Sequence, residues 1–253
     1  MTDRPYVLVA TPTAGNLVAS GYASTLMAVA RAARDLGWDF DNLSFDGADV
    51  VMARNYLANY VLGDPRLSHV LFLDSDMRVQ QQVLSRFMAA DKPIIGSVYP
   101  RRQIDLGRYA AALKAGHPDN EAQAMAMDFN VQITTKALRV SDGMCEVEGL
   151  GFGCVLIQRG LLEKMAETGV AKEVPSGVLQ SQGLGARHHD FFSTIQLPEG
   201  GYLSEDFSFC ARVRQMDGGA VWAYIGEGVS HLGGYAYDAS FEAQLRARQR
   251  RKG

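Results

Sequence analysis

Short apolar runs alternate with amphipathic stretches through the first hundred residues. Residues 6–10 form an apolar run that the polar segment 11–16 ends, the pattern of a buried strand leading into a loop. Ser20–Leu36 carries Leu26, Met27, Ala30 and Ala33 at helical spacing, with Gly37 just beyond as a stop. Residues 38–44 read as a second strand and residues 50–62 as a second helix, halted by Gly63, Asp64 and Pro65. His69–Leu73 is an almost wholly apolar third strand that runs into Asp74, Ser75 and Asp76. Residues 79–90 predict a third helix and residues 92–99 a fourth strand, closed by Pro100. Apolar strands without period-two alternation, separated by helices, predict a mostly parallel sheet covered on both faces.

The rhythm changes after Tyr99. Residues 101–130 are polar and small without a clear period, and read as a long loop with a short helix at most. Residues 131–148 suggest one or two strands. Gly149, Gly151 and Gly153 open a further strand, Cys154–Gln158, and residues 161–166 a helix. Residues 170–201 look irregular. A helix follows Ser204, its expected N-cap, with Glu205 and Asp206 in the first turn and the pattern running to Met216. Residues 220–225 are a last short strand. The expected organisation is one domain over residues 1–240, with a nucleotide-binding half (1–100) and an acceptor-side half (101–240), and a basic C-terminal tail over residues 241–253.

The chain has 253 residues, 47% of them hydrophobic, enough for one large core. A net charge of -3 argues against a nucleic-acid partner. The three cysteines, Cys145, Cys154 and Cys210, are odd in number and lack metal-ligand spacing, so no disulfide framework is expected. No signal peptide and no run of roughly 20 apolar residues is apparent, which gives a cytoplasmic address as the expectation. Arg246, Arg248, Arg250, Arg251 and Lys252 can attract an anionic membrane surface, although a solvated or frayed tail is the favoured expectation.

Asp74 and Asp76 carry the strongest chemical signal. Residues i and i+2 at a strand end point to one side, so the two carboxylates can converge while Ser75 points away. Side by side they repel unless a cation lies between them. A hard divalent ion would satisfy both and would bridge them to an anionic diphosphate. The run from Leu71 to Met77, LFLDSDM, resembles the DXD motif of GT-A glycosyltransferases, closest to the bacterial family 2-like enzymes. The order of features from about Tyr6 to Tyr237 agrees with that fold.

That resemblance implies a Rossmann-like α/β fold and transfer of a sugar from a nucleotide-sugar donor. It places Thr11, Pro12, Thr13, Arg54, Asp74, Ser75 and Asp76 at the donor, with Asn55 beside Arg54. Asp76 would be the main metal ligand, with Asp74 near the ribose or the metal and His231 as a late third ligand. A nitrogen ligand suits Mn²⁺ better than Mg²⁺, and both ions stay open. Asp206 is the first candidate for the base that deprotonates the acceptor hydroxyl, and Glu205 the second. An acidic first turn also suits the helix dipole alone. A UDP-sugar is the favoured donor, a GDP-sugar the alternative, and the acceptor an unidentified carbohydrate or small molecule. Inversion is favoured and retention open.

Other features weigh less. Arg101 and Arg102 follow a strand end and could meet a diphosphate. His188, His189 and Asp190 suggest a flexible loop that orders over the donor. The glycines at 149–153 read mainly as a tight turn. Two other classes compete. One is a nucleotidyltransferase, although segment 11–16 lacks the Gly-rich basic loop such enzymes carry. The other is a non-catalytic sugar-nucleotide or glycan-binding protein.

Overall fold

The strand–helix alternation is realised in a computed structural model that describes residues 4–47, 49–133 and 138–250. The expectations for residues 1–3, for the middle of segment 131–148, and for Arg251 and Lys252 lie outside those residues. The chain begins β1 (Tyr6–Thr13), α1 (Ser20–Leu36), β2 (Asp39–Asp46), α2 (Val50–Gly63), β3 (His69–Leu73), β4 (Met77–Val79), α3 (Gln81–Ala89) and β5 (Ile94–Ser97). It continues with α4 (Leu106–Lys114), α5 (Asp119–Met125), β6 (Val131–Gln132), β7 (Met144–Val147), β8 (Gly149–Leu150), β9 (Cys154–Gln158) and α6 (Arg159–Glu167). The remainder is β10 (Lys172–Pro175), a 3-10 turn (Gly177–Gln182), β11 (Arg187–Asp190), α7 (Glu205–Gln215), β12 (Val221–Tyr224), β13 (Val229–Leu232), β14 (Ala236–Asp238) and α8 (Phe241–Arg250).

Seven strands form the central sheet in the order β2-β1-β3-β9-β5-β12-β7. Five share one direction, and β9 and β7 run against them. The fold is therefore mixed α/β around a mostly parallel sheet, as the sequence pattern predicts. Successive residues of β1 and β3 serve opposite faces. Leu8, Ala10, Val70 and Phe72 pack with buried residues of α2, α6 and α7. Val7, Val9, Leu71 and Leu73 pack with those of α1 and α3. Two-sided burial explains why these strands read as unbroken apolar runs. Phe72 alone, 5.4 Å from Phe192 and 5.8 Å from Phe152 between ring centres, contributes roughly 1.5–3 kcal/mol by burial.

A three-stranded sheet, β14-β13-β4, stands beside the central one. It is fastened to α1. The Thr25 hydroxyl donates towards the Gly21 and Met77 carbonyls and accepts from the Val79 amide at 2.9 Å. A Cβ on Gly21 would lie 2.4 Å from Leu232 Cδ1 and 3.1 Å from Arg78 Cβ, so glycine there lets α1 approach this sheet without displacing either side chain.

Several expectations change. β1 extends through Thr13, so Thr11 and Pro12 belong to the strand rather than the loop. Residues 77–79 form β4, and the helix expected from 79 starts at Gln81. Segment 101–130 holds two helices, α4 and α5, rather than a long loop. Segment 170–201 contains the β10–β11 hairpin and its 3-10 turn. The expected tail forms α8, with Phe241, Ala243, Gln244 and Ala247 buried. Gln244 Nε2 donates to the Ala124 and Met127 carbonyls at the end of α5, at 2.8 and 3.0 Å. All three cysteines are free and buried. No helix among the described residues is long and apolar enough to cross a membrane.

Candidate active site at the carboxyl edge of the sheet

β3 ends at Leu73, opposite Cys154 at the start of the antiparallel β9. The turn Asp74-Ser75-Asp76 is therefore held against the glycine-rich segment before β9. The Asp74 amide donates to the Gly153 carbonyl at 2.9 Å. The Ala19 amide donates to the Ser75 carbonyl, and the Leu232 amide to the Asp76 carbonyl, each at 2.8 Å. Three distant segments thus fix the acidic turn through its backbone, leaving its carboxylates to face other groups. The glycines before β9 are demanded by packing: a Cβ on Gly151 or Gly153 would lie 2.6 or 2.7 Å from Tyr99 atoms. The Tyr99 hydroxyl accepts from the Gly153 amide at 3.0 Å and from Asn130 Nδ2 at 3.3 Å.

Arg54 projects from the buried face of α2 and is 3% exposed. Its Nη2 donates to Asp74 Oδ1 at 3.0 Å, and its Nε lies 3.5 Å from Glu205 Oε1 at the start of α7. The guanidinium lies 5.7 and 5.6 Å from the ring centres of Phe72 and Phe152. Burial opposes its charge, but the Asp74 and Glu205 carboxylates outweigh that and raise its pKa. The same burial raises the pKa of Asp74 against the pull of Arg54. It raises that of Glu205 likewise. Among the described residues, Arg54 Nε is buried without a hydrogen-bond partner, an uncommon state for a native polar group. Arg54 therefore joins the acidic turn to the acidic helix start, two features 131 positions apart in sequence.

Asp76 has different partners. Its Oδ2 lies 3.0 Å from Arg102 Nη1 and 3.3 Å from His231 Nε2. Burial pushes its pKa up, but the bond and charge of His231 and the charge of Arg102 prevail and lower it. Pairing of β13 with β4 sets His231 opposite Met77, and the Tyr99 ring meets the imidazole edge-on at 5.2 Å. His231 Nδ1 lies 3.1 Å from the Pro100 carbonyl oxygen. That oxygen can only accept, so Nδ1 carries a proton. In the neutral ring Nε2 then presents a lone pair to the Asp76 carboxylate. Two acceptors face each other unless Nε2 is protonated or a cation joins them. An oxygen and a nitrogen so placed suit a divalent ion such as Mn²⁺.

The expected ligand trio is gathered only in part. Asp76 and His231 meet, whereas Asp74 is claimed by Arg54. Among the described residues, no three His, Cys, Asp or Glu side chains are grouped so as to hold a metal ion. Asp206 is buried at the start of α7. Its Oδ1 accepts from the Phe207 amide at 2.8 Å and from the Ser204 hydroxyl. Ser204 thus occupies the N-cap position without capping through its side chain, because its hydroxyl is turned to Asp206.

At the end of β1, Thr11 is fully buried and its hydroxyl shares a 2.7 Å hydrogen bond with Tyr22, so the expected contact with a nucleotide is not presented. Pro12 is partly exposed, and Thr13 donates to Asp46 Oδ1 at 3.3 Å. Asp46 also accepts from the Asn16 amide and side chain, at 3.0 and 3.3 Å. Asp46 lies beyond the second strand that the sequence pattern predicts, which stops at Ser44, whereas β2 runs to Asp46. Pairing of Thr13 with Asp46 in the β1–β2 register is the feature that reveals it.

Asn55 turns away from the site. Its Nδ2 donates to Asp190 Oδ1 at 2.9 Å, and its Oδ1 accepts from the Phe191 and Phe192 amides at 2.8 and 3.1 Å. Asn59, one helical turn on, bonds the His189 backbone through both ends of its amide, at 2.8 and 2.9 Å. His188, His189 and Asp190 are therefore not a loose lid. They lie in β11, whose His189 and Asp190 are pinned to α2 by two carboxamides.

No protein-family model matches the chain, and no curated protein matches it in sequence. Among solved structures, the chain is similar to A197 from STIV, with 14% identity over 91% of this chain and 86% of that one, at a TM-score of 0.45. It is also similar to a glycosyltransferase involved in glycosylation of the major capsid of PBCV-1, with 12% identity over 71% of this chain and 68% of that one, at a TM-score of 0.32.

Proposed function

We propose that the protein is a GT-A-type glycosyltransferase that moves a sugar from a nucleotide-sugar donor to a hydroxyl acceptor. One observation carries this reading: the backbone-fixed turn Asp74-Ser75-Asp76 at the carboxyl edge of β3, with His231 turned to Asp76 and Arg54 linking Asp74 to Glu205. Ligands of open α/β sheets bind at this edge. Thr13 and Asp46 border the nucleotide end, and the α7 start borders the acceptor end.

Asp76 and His231 are the residues that would hold a divalent ion, Mn²⁺ by the chemistry of the pair. Such an ion would supply charge stabilisation for the departing nucleoside diphosphate. Asp206, its Oδ1 anchored by Ser204 and the Phe207 amide, is the base that takes the acceptor hydroxyl proton as that oxygen attacks the anomeric carbon. Glu205 has its charge matched to Arg54 and orients the site from the same turn. Inversion follows from a single attack of this kind. A UDP-sugar remains the favoured donor and a GDP-sugar the alternative.

The test is product release from UDP- and GDP-sugars in the presence of Mn²⁺. Nucleoside diphosphate is the expected product, and replacement of Asp76 by Ala should lower its release by roughly 100-fold or more with the fold intact. Release of pyrophosphate from a sugar phosphate and a nucleoside triphosphate would assign a nucleotidyltransferase instead. Donor binding with no turnover, insensitive to change at Asp206, would leave a binding protein.

A further inference from the structure

Two arginines face the acidic turn, and they are held very differently. Arg54 is 4% exposed at its side chain and is gripped by two carboxylates and two rings. Arg102, in the segment after β5, is 52% exposed, and among the described residues its guanidinium pairs with a single carboxylate, Asp76. Its stem passes over the turn between β13 and β14. A Cβ on Gly233 would lie 3.0 Å from Arg102 Cδ, so glycine at 233 leaves the passage open.

The oxygen that Arg102 reaches, Asp76 Oδ2, is also the one His231 Nε2 approaches. A guanidinium and a divalent ion carry the same sign of charge and seek the same oxygen. An exposed ion pair is weak, so exchanging its partner costs little. The guanidinium fork that fits a carboxylate fits phosphate oxygens equally well.

We propose, building on the glycosyltransferase reading above, that Arg102 is a mobile donor-binding residue that covers Asp76 until a divalent ion takes that oxygen and then turns its guanidinium to the donor diphosphate. Arg102 thus opposes the ion when no donor is present and assists the diphosphate when the ion is bound. The two effects have opposite signs, which a purely structural arginine would not produce.

The test compares wild type, Arg102→Ala and Arg101→Ala. Arg101→Ala removes the same charge from the neighbouring position and controls for net charge. Mn²⁺ binding without nucleotide is followed by the electron paramagnetic resonance of the free ion. UDP binding at saturating Mn²⁺ is followed by calorimetry, with GDP used where UDP gives no heat. Arg102→Ala should bind Mn²⁺ about threefold tighter than wild type and the nucleotide about tenfold weaker. Arg101→Ala should leave Mn²⁺ binding close to that of wild type. A wild type that binds both, with Arg102→Ala matching it in either, would overturn this inference and leave the function standing. A wild type that binds neither Mn²⁺ nor nucleotide would overturn both.

Discussion

Arg54 keeps its charge where almost no solvent reaches it, and the reason is local. Asp74 and Glu205 supply the countercharge and the faces of Phe72 and Phe152 supply the walls. Removing the guanidinium would strand two largely buried carboxylates. Arg54→Met should therefore lower stability by roughly 3 kcal/mol in denaturant unfolding, and the loss should shrink at low pH as the stranded carboxyls protonate. A variant as stable as wild type at neutral pH would show that the cluster contributes little.

His69, below the site at the start of β3, tests a different balance. Its ring lies 4.5 Å from Trp38, and burial pushes its pKa down to about 4. The unfolded chain takes up this proton below about pH 6.5, while the folded chain resists it down to the lowered value. Stability from this group is thus complete above the unfolded pKa and is lost as pH falls through that window. About 2 kcal/mol should go between pH 7 and pH 5 in wild type and be retained in His69→Gln. Identical pH profiles for the two proteins would refute it. At this scale Asp74 and Asp76 were legible as a pair from residue type and spacing, and His231 only through the resemblance to the GT-A enzymes. Asp46 and Tyr99 were not, because their roles come from strand register and a close glycine contact.

Among elements, α2 does two jobs with neighbouring residues. Arg54 serves the site, while Asn55 and Asn59 hold the end of β11. Asn55→Ala would remove partners from the Phe191 and Phe192 amides and from Asp190 at once. It should cost roughly 2 kcal/mol and speed hydrogen exchange at Phe191 and Phe192 well above that of β3. Unchanged exchange there would mean the hairpin holds without α2. The boundaries of α1, β3 and β9 follow from the sequence, since each is a buried run with a clear stop. The hairpin did not, because its anchors are side chains of a helix more than 120 positions away. Helices α4, α5 and α8 are short and bury mostly alanine, Ala112 in α4, Ala122 and Ala124 in α5, Ala243 and Ala247 in α8, so segment 101–130 showed a short helix at most and the C-terminal segment only a tail.

For the molecule as a whole, the sheet explains why one edge gathers the chemistry. The carboxyl ends of β1, β2, β3 and β5 and the start of the reversed β9 bring Asp46, Asp74, Asp76, Pro100 and Gly153 to one rim. The small β14-β13-β4 sheet adds His231, and α7 adds Glu205 and Asp206. Alternating strands and helices made the parallel sheet legible. The antiparallel insertion of β9 and the second sheet are long-range pairings that local pattern does not encode.

Thermal unfolding with UDP, GDP, CDP and dTDP, each with Mn²⁺ or with EDTA, reports on the donor site without an acceptor. At about a hundredfold excess over the dissociation constant, one nucleotide should raise the melting temperature by roughly 5–10 °C with Mn²⁺ and by none with EDTA. No shift with any of the four, with or without the ion, would contradict a metal-bridged nucleotide-sugar site at this edge of the sheet.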